Sequence, residues 1–279
     1  MALLTRVPAL LCALALGGCD LVRPNDPLAL DENLVALQAV LIGGSTRPEV
    51  MVYYPHGRQD RRPAAVVQLA AERPGGWSIP LAAVTCSVPE PASASCYSAQ
   101  LPDSLLEGET YTVRAGTVGD TIVGRTRIPP APRLLAPHDT TIRVAGDLWG
   151  TTVVLHYVAS ADAARTVLDV GDVVVHDTAG IRHDGCALFT DPFPGGEAIP
   201  ANPPLTVTIR YLLECAPPQW SRIEATFSLL AFDSAYVRFM AESDQGVLRR
   251  PWPAFGIERG VGLFAAAARS AGVRVDFVR

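Results

Sequence analysis

Residues 105–113 read LLEGETYTV, and this stretch decides the fold of the first half of the chain. Leucine and glycine precede Tyr111, and alternation continues through Val113 and Ala115, as in a strand with one buried face. In Greek-key β-sandwiches, a tyrosine so placed closes a crossover by bonding to backbone a few residues upstream. The stretch therefore predicts a tyrosine corner at Tyr111 and an Ig-like or transthyretin-like Greek-key sandwich around it.

The rest of the chain has the same β-rich character. Short β-branched or aromatic segments bounded by proline, glycine and arginine recur from Leu34 onward, which is typical of strands. Residues 128–133 read IPPAPR, a proline-stiffened stretch that suits a linker. We therefore predict an N-terminal β-sandwich domain at residues 34–130 and a C-terminal β-rich domain at residues 131–279.

Three elements of the second half are predicted from periodicity. Residues 205–213 alternate between apolar and polar, as a half-buried antiparallel strand requires, and residues 273–278 alternate in the same way. Asp233 is suited to cap a short helix through Ala241, because aromatic side chains follow it at helical spacing. The fold class is thus mainly β with one or two short helices.

The N-terminus carries an export signal. An apolar run at residues 7–16 is too short for a membrane span and suits a signal-peptide core. Leu16-Gly17-Gly18-Cys19 resembles the bacterial lipobox, whose cysteine is acylated, with palmitate among the acyl groups, and becomes the mature N-terminus. Residues 1–18 are then the signal peptide and residues 19–33 a tether. The alternative is an ordinary secretory signal with a chance cysteine.

Charge and basic-residue content exclude several functions. The formal net charge is −5, and all 23 basic residues are arginines scattered along the chain. No basic patch is indicated, so nucleic acid is not an expected partner. The absence of lysine removes phosphate-loop, Schiff-base and serine–lysine chemistry.

Four cysteines remain beyond the signal and the lipidation site. An even number in an exported chain predicts disulfides, for which three connectivities exist. We favour Cys86 with Cys96 and Cys186 with Cys215, because each bridge then stays within one predicted domain.

The strongest candidate for chemistry is the twofold pair His176-Asp177 and His183-Asp184. Imidazole and carboxylate ligands together can bind zinc or another divalent ion. A two-residue turn at residues 179–180 would place the two histidines opposite each other, whereas a three-residue loop would place His176 opposite Arg182. We interpret the segment as a polar surface hairpin and expect neither a metal nor a cofactor.

Aromatic residues offer a second candidate. Four tryptophans would make a sugar-stacking platform if they were exposed, although tryptophans spread over both halves are more often core or turn-packing residues. They are Trp77, Trp149, Trp220 and Trp252.

Several short motifs together resemble one family. They are the lipobox, the early extended strand, the Tyr111–Val113 pattern leading to Ile128-Pro129, and Gly260-Val261-Gly262-Leu263-Phe264. This set is similar to the envelope lipoproteins catalogued as domain of unknown function 4249. The resemblance implies an accessory lipoprotein beside an outer-membrane TonB-dependent receptor and carries no catalytic residues.

We expect Gly260 and Gly262 to be structural. Glycine permits a positive φ or a close backbone approach, so the motif predicts a tight turn that delivers Leu263 and Phe264 into the core of the second domain.

The sequence therefore predicts a non-catalytic bacterial envelope lipoprotein, attached through its lipid with the outer membrane favoured, that presents a recognition surface. The alternatives are a metal-dependent hydrolase that uses His176 and His183, and a carbohydrate-binding module.

Overall fold

The structure is a computed structural model. It describes residues 34–55, 61–87, 93–146, 148–195, 198–200, 203–213, 219–243 and 253–279. The predicted signal peptide, Cys19 and the tether lie outside these residues. Within them, no helix has the length and apolar character that crossing a membrane would require.

The described residues form nineteen β-strands and one α-helix, so the predicted mainly-β class is confirmed. The strands of the first half are β1 (Ala36–Ile42), β2 (Glu49–Tyr53), β3 (Val66–Ala71), β4 (Ser78–Val84), β5 (Ala94–Ser98), β6 (Thr110–Gly116) and β7 (Thr121–Arg127). The second half contains β8 (Arg133–Ala136), β9 (Thr140–Arg143), β10 (Thr152–Val158), β11 (Arg165–Asp177), β12 (Arg182–His183), β13 (Ala187–Asp191), β14 (Leu205–Leu213), β15 (Trp220–Phe232), α1 (Ser234–Ser243), β16 (Ala254–Phe255), β17 (Ile257–Arg259), β18 (Val261–Arg269) and β19 (Val273–Val278).

The first seven strands form a curled antiparallel sheet with the order β1-β2-β5-β4-β3-β6-β7. Strands β3, β4 and β5 are consecutive neighbours, and β2 lies on the other side of β5, which is a Greek-key order. Alternate side chains of these strands meet in one apolar core. The large, fully buried side chains of this first core are Leu37, Leu41, Leu69, Leu105, Tyr111, Ile122, Ile128 and Phe264.

Tyr111 makes the contact that a tyrosine corner requires. Its buried hydroxyl oxygen accepts a hydrogen bond from the backbone N–H of Leu106 at 2.7 Å. Between them the chain turns at Gly108, whose φ is +77° and whose N–H donates to the carbonyl of Ile128. Burial of the phenol raises its pKa, so the hydroxyl stays neutral. The corner thereby joins the entry of β6 to the end of β7.

We expect Tyr111→Phe to lower the free energy of unfolding by about 1–2 kcal/mol, because the N–H of Leu106 loses its acceptor in a partly buried site. Chemical denaturation measures this loss, and hydrogen exchange at Leu106 should accelerate. Val66→Ala on the exposed face of β3 is the control, expected to stay within about 0.5 kcal/mol of the wild type. Unchanged exchange at Leu106 would contradict the role of the hydroxyl.

The second half of the chain forms another sandwich. One layer is a four-stranded sheet with the order β13-β14-β10-β8. The facing layer contains β12, β11 and β15, with β19 and β9 following beside β15. Strand β14 has the predicted bounds, and its side chains Leu205, Val207 and Ile209 point into the second core, as the alternation requires.

Helix α1 begins where the sequence predicts. Asp233 precedes it, and the Oδ1 atom of Asp233 accepts a hydrogen bond from the N–H of Tyr236 at 2.9 Å. This N-cap satisfies one of the amide groups that the first helical turn leaves unpaired. The aromatic side chains Tyr236 and Phe239 then pack against a small cluster that includes Phe255 and Leu263.

Strand β18 connects the two sandwiches. It pairs in parallel with β1, from Ala36 opposite Val261 to Ile42 opposite Ala267, and its C-terminal end pairs with β15. Both faces of β18 are buried, as expected of a strand in the middle of a covered sheet. One continuous fifteen-stranded sheet of the described residues therefore runs through both sandwiches.

This pairing corrects the predicted position of Leu263 and Phe264. Phe264 lies in the first core, whereas Leu263 packs beneath α1, and neither belongs to the second core. The prediction was wrong because nearness in sequence suggested a partner among the adjacent strands. Parallel pairing with β1 instead returns this part of the chain to the first sandwich.

One of the two predicted disulfides lies wholly within the described residues. Cys86 and Cys96 are joined, which confirms that pair. Cys186 is also disulfide-bonded. Its predicted partner, Cys215, lies outside the described residues, so the second pairing stays a prediction.

Candidate recognition surface

The two histidines of the predicted metal site lie on neighbouring strands but contact different carboxylates. His176 is opposite Arg182, which is the register of the three-residue loop. The Nε2 atom of His176 lies 3.2 Å from Glu224 Oε1, and the Nε2 atom of His183 lies 3.3 Å from Asp177 Oδ2. The described part of the chain holds no group of three or more histidine, cysteine, aspartate or glutamate side chains placed to hold a metal ion.

The two aspartates of this hairpin have structural partners. The N–H of Ile181 donates to Asp177 at 2.8 Å and is the largest cause that lowers the pKa of this carboxyl. The pKa of Asp184 is lowered by the Arg182 guanidinium, which donates to it. The first contact closes the turn and the second is a surface ion pair between residues two apart in sequence, as the polar hairpin interpretation expects.

The three tryptophans within the described residues do not share a site. Trp77 packs 5.9 Å from the ring of Tyr111, and Trp220 is buried in the second core with the Arg279 guanidinium over its ring. Trp149, in contrast, has 62% of its surface exposed. Trp252 lies outside the described residues. A platform of all four tryptophans is therefore not formed.

A cavity of about 400 Å³ lies between β7, residues 161–164 and the start of α1. Its most buried ionisable group is Asp233, whose Oδ2 atom accepts a hydrogen bond from Thr126 at 2.5 Å. Burial is the largest influence on the carboxyl and raises its pKa, although hydrogen bonds act in the opposite direction. Asp233 caps α1 and also bonds to β7. We therefore infer that this carboxyl stabilises the contact between α1 and β7.

We expect the stability difference between the wild type and Asp233→Asn to depend on pH. The pKa of Asp233 is raised in the folded state, so folding favours the protonated carboxyl. The stability that this protonation contributes is fully present below pH ~4 and is lost as the pH rises through the folded pKa. Stability of the wild type relative to the variant should therefore fall as the pH rises above ~4. Chemical denaturation across this range measures it, and the contributions of other carboxyl groups cancel in the difference. A constant difference would show that the carboxyl titrates normally.

The outward side of the four-stranded sheet, which we call the outer face, is apolar at many positions. In β10 the inward residues Val153, Leu155 and Tyr157 are buried, and the alternate positions point outward. Half of the exposed large hydrophobic side chains in the described residues lie in this sheet or beside its strands. They are Leu135, Trp149, Val154, Val158 and Phe193.

One end of the outer face, which we call its aromatic end, combines aromatic and charged groups. Trp149 lies just before β10, and the next residue, Gly150, donates its N–H to the carbonyl of Ile209. The residue after Ile209 is Arg210, which forms an ion pair with Asp191 of β13. Phe193 follows β13, and its ring lies 5.4 Å from that of Phe189. The strand order β13-β14-β10 therefore brings the segments that carry Trp149, Arg210 and Asp191 next to one another.

Sequence reasoning found only part of this surface. The sequence points to Trp149 as an aromatic candidate but gives no signal for Phe193, Arg210 or Asp191. A β-bulge between Phe189 and Thr190 shifts the register of β13 against β14. The alternation of apolar and polar residues in β13 does not predict this bulge.

The fold and these sites together define a mainly β protein of two joined sandwiches, with exposed apolar side chains in and beside one sheet. No protein-family model matches the chain, and no curated protein matches it. The resemblance to the envelope lipoprotein family therefore stays a prediction.

Solved structures with some similarity include tandem Ig modules. The N-terminal Ig1-2 module of the Drosophila receptor protein tyrosine phosphatase DLAR is 11% identical, with 85% of this chain and 99% of that chain covered and a TM-score of 0.27. A structure of the tandem Ig repeats of Dlar is 10% identical, with 86% and 98% covered and a TM-score of 0.23. Both TM-scores lie below 0.5, so neither similarity assigns a function to this chain.

Proposed function

We propose that this protein is a non-catalytic binding or accessory module of the bacterial cell envelope, and that the outer face is its recognition surface. The observation that carries the proposal is that half of the exposed large hydrophobic side chains in the described residues lie in this sheet or beside its strands. Large exposed apolar patches on soluble domains commonly mark interaction sites, because leaving them in water is unfavourable. The pairs that His176 and His183 make with single carboxylates support a structural role for the hairpin.

Attachment through lipid on Cys19 is part of the proposal. Two acyl chains anchor a protein far more firmly than one, so Cys19→Ala should turn a detergent-extracted protein into a soluble or unprocessed one. Membrane fractionation and mass spectrometry of the mature N-terminus measure this change. An unmodified N-terminus at another residue would contradict it.

The partner implied by the family resemblance is an outer-membrane TonB-dependent receptor or another envelope protein. A photo-crosslinker at Val154, in the middle of the outer face, should capture a specific envelope component in intact cells. The same crosslinker at Val66, which has 70% of its surface exposed on the first sandwich, is the matched control. Equal capture from both positions, or none from Val154, would contradict the proposed recognition surface.

The rival class is a metal-dependent hydrolase. Its signature would be stoichiometric zinc in the purified protein that disappears in the His176→Ala, His183→Ala double variant. That result would replace the binding proposal with a catalytic one.

A further inference from the structure

We propose that the aromatic end of the outer face binds a neutral carbohydrate chain, an inference that rests on the proposed function of this face. The site consists of Trp149, Phe193 and the Arg210–Asp191 pair. Each of these groups supplies a different part of sugar recognition.

The aromatic side chains supply apolar surface. Trp149 has 62% of its surface exposed and Phe193 has 50% exposed, although aromatic residues usually bury most of their area on folding. A pyranose ring presents C–H groups on its faces, and these pack well against an aromatic ring. Phe189, whose ring is inclined by 44° to that of Phe193, supports this side of the site.

The polar groups between the aromatic residues suit hydroxyl groups. A guanidinium has five N–H donors and a carboxylate only acceptors, so Arg210 and Asp191 together can bond the donor and the acceptor of neighbouring sugar hydroxyls. Thr208 lies opposite Asp191 on one side and opposite Thr152 on the other, which extends the polar row across three strands.

The charge of the site indicates a neutral ligand. Arg210 and Asp191 form an ion pair, so their charges balance each other where the ligand would lie. An acidic peptide, a nucleic acid or an anionic lipid would require a surplus of positive charge, which this pair does not supply. A neutral polyhydroxylated chain is complementary to a site that combines apolar surface with a balanced ion pair.

The spacing of the site suits a chain rather than a single sugar. Trp149 precedes β10 and Phe193 follows β13, and these strands flank β14 on opposite sides. Neighbouring strands lie about 4.8 Å apart, so the backbones at Trp149 and Phe193 are separated by at least about 10 Å. One pyranose ring cannot cover both, whereas successive rings of an oligosaccharide can.

Affinity gel electrophoresis of the protein tests the proposal. The probes are four soluble neutral polysaccharides (a β-glucan, a xylan, a mannan and a galactan), with alginate as the anionic comparison. We expect at least one neutral polysaccharide to retard the protein. Its affinity should fall at least about tenfold in Trp149→Ala and in Phe193→Ala, because each loses a stacking surface. Trp149→Phe should retain part of the affinity, and Val66→Ala should retain all of it.

Three outcomes would overturn the inference. They are retardation by no neutral polysaccharide, retardation by alginate alone, and retardation that neither alanine variant weakens. Thermal melting of the variants separates lost binding from lost folding, since both replaced side chains are largely exposed. Specific capture of an envelope protein or a second copy from Val154, together with no sugar binding, would overturn the carbohydrate ligand and leave the proposed recognition surface standing.

Discussion

Replacing Gly262 with valine is expected to abolish stable folding of this chain. Gly262 has a φ of +123°, which side chains with a Cβ rarely adopt. A Cβ there would lie 2.0 Å from the carbonyl oxygen of Leu37 and 2.8 Å from its backbone nitrogen. These are backbone atoms of β1 that lie beside Gly262 in the parallel pairing, so they cannot move away without opening the contact between β1 and β18.

Gly262→Ala already introduces this Cβ and should cost at least about 3 kcal/mol through backbone strain and overpacking together. Chemical denaturation and the yield of soluble protein measure the loss. Gly119→Ala is the matched control, because Gly119 has a φ of +98° and no atom within 4 Å of its added Cβ. It isolates the cost of the backbone conformation, about 1 kcal/mol. Equal losses at the two positions would show that the close approach to Leu37 is unimportant.

Phe264→Ala should destabilise the protein by about 3–5 kcal/mol, the usual cost of removing a fully buried aromatic side chain. This is a large part of the 5–15 kcal/mol by which domains are typically stable. Because β18 lies between β1 and β15, we expect both sandwiches to unfold together at a lower denaturant concentration. Circular dichroism during denaturation measures this shift. Phe193→Ala, at an exposed phenylalanine, is the control and should change stability little.

A substitution at Gly124 provides a second test of how Phe264 packs in the first core. A Cβ on Gly124 would lie 2.8 Å from the Cβ of Phe264, so the phenylalanine packs directly on the backbone of β7. Gly124→Ala alone should therefore destabilise the protein. The loss should be smaller when Phe264 is already alanine, because that change removes the Cγ and Cδ1 atoms at 2.9 and 3.0 Å, although it keeps the Cβ. Additive losses in this double-mutant cycle would mean that the ring of Phe264 does not pack against Gly124.

Several elements of the fold follow from short stretches of sequence. The bounds of β14 follow from alternation alone, because side chains in a half-buried strand point to opposite sides at every second residue. The start of α1 follows from Asp233 and the aromatic side chains behind it. The contact of Tyr111 with Leu106 spans only five residues, so its sequence pattern is compact.

The candidate site was less predictable, because it depends on which strands become neighbours. The spacing of His176 and His183 left two registers open, and the three-residue loop that forms directs them to separate carboxylates. Trp149 is notable in the sequence only as one of four tryptophans. Its proximity to Arg210 and Asp191 arises from the order β13-β14-β10, which connects segments that are distant along the chain.

The sequence by itself determined the mainly β class and the helix after Asp233, and it favoured the pairing of Cys86 with Cys96 among three connectivities. These features depend on side-chain alternation, capping and nearness along the chain, all of which are local. Only the tertiary structure decided that β18 joins β1 and that Phe264 fills the first core. Residues of β18 are apolar on both faces, so their sequence indicates burial but does not indicate which strand lies beside β18. The partner is set by long-range packing, in which the glycine at 262 permits an approach to Leu37 that any side chain would block.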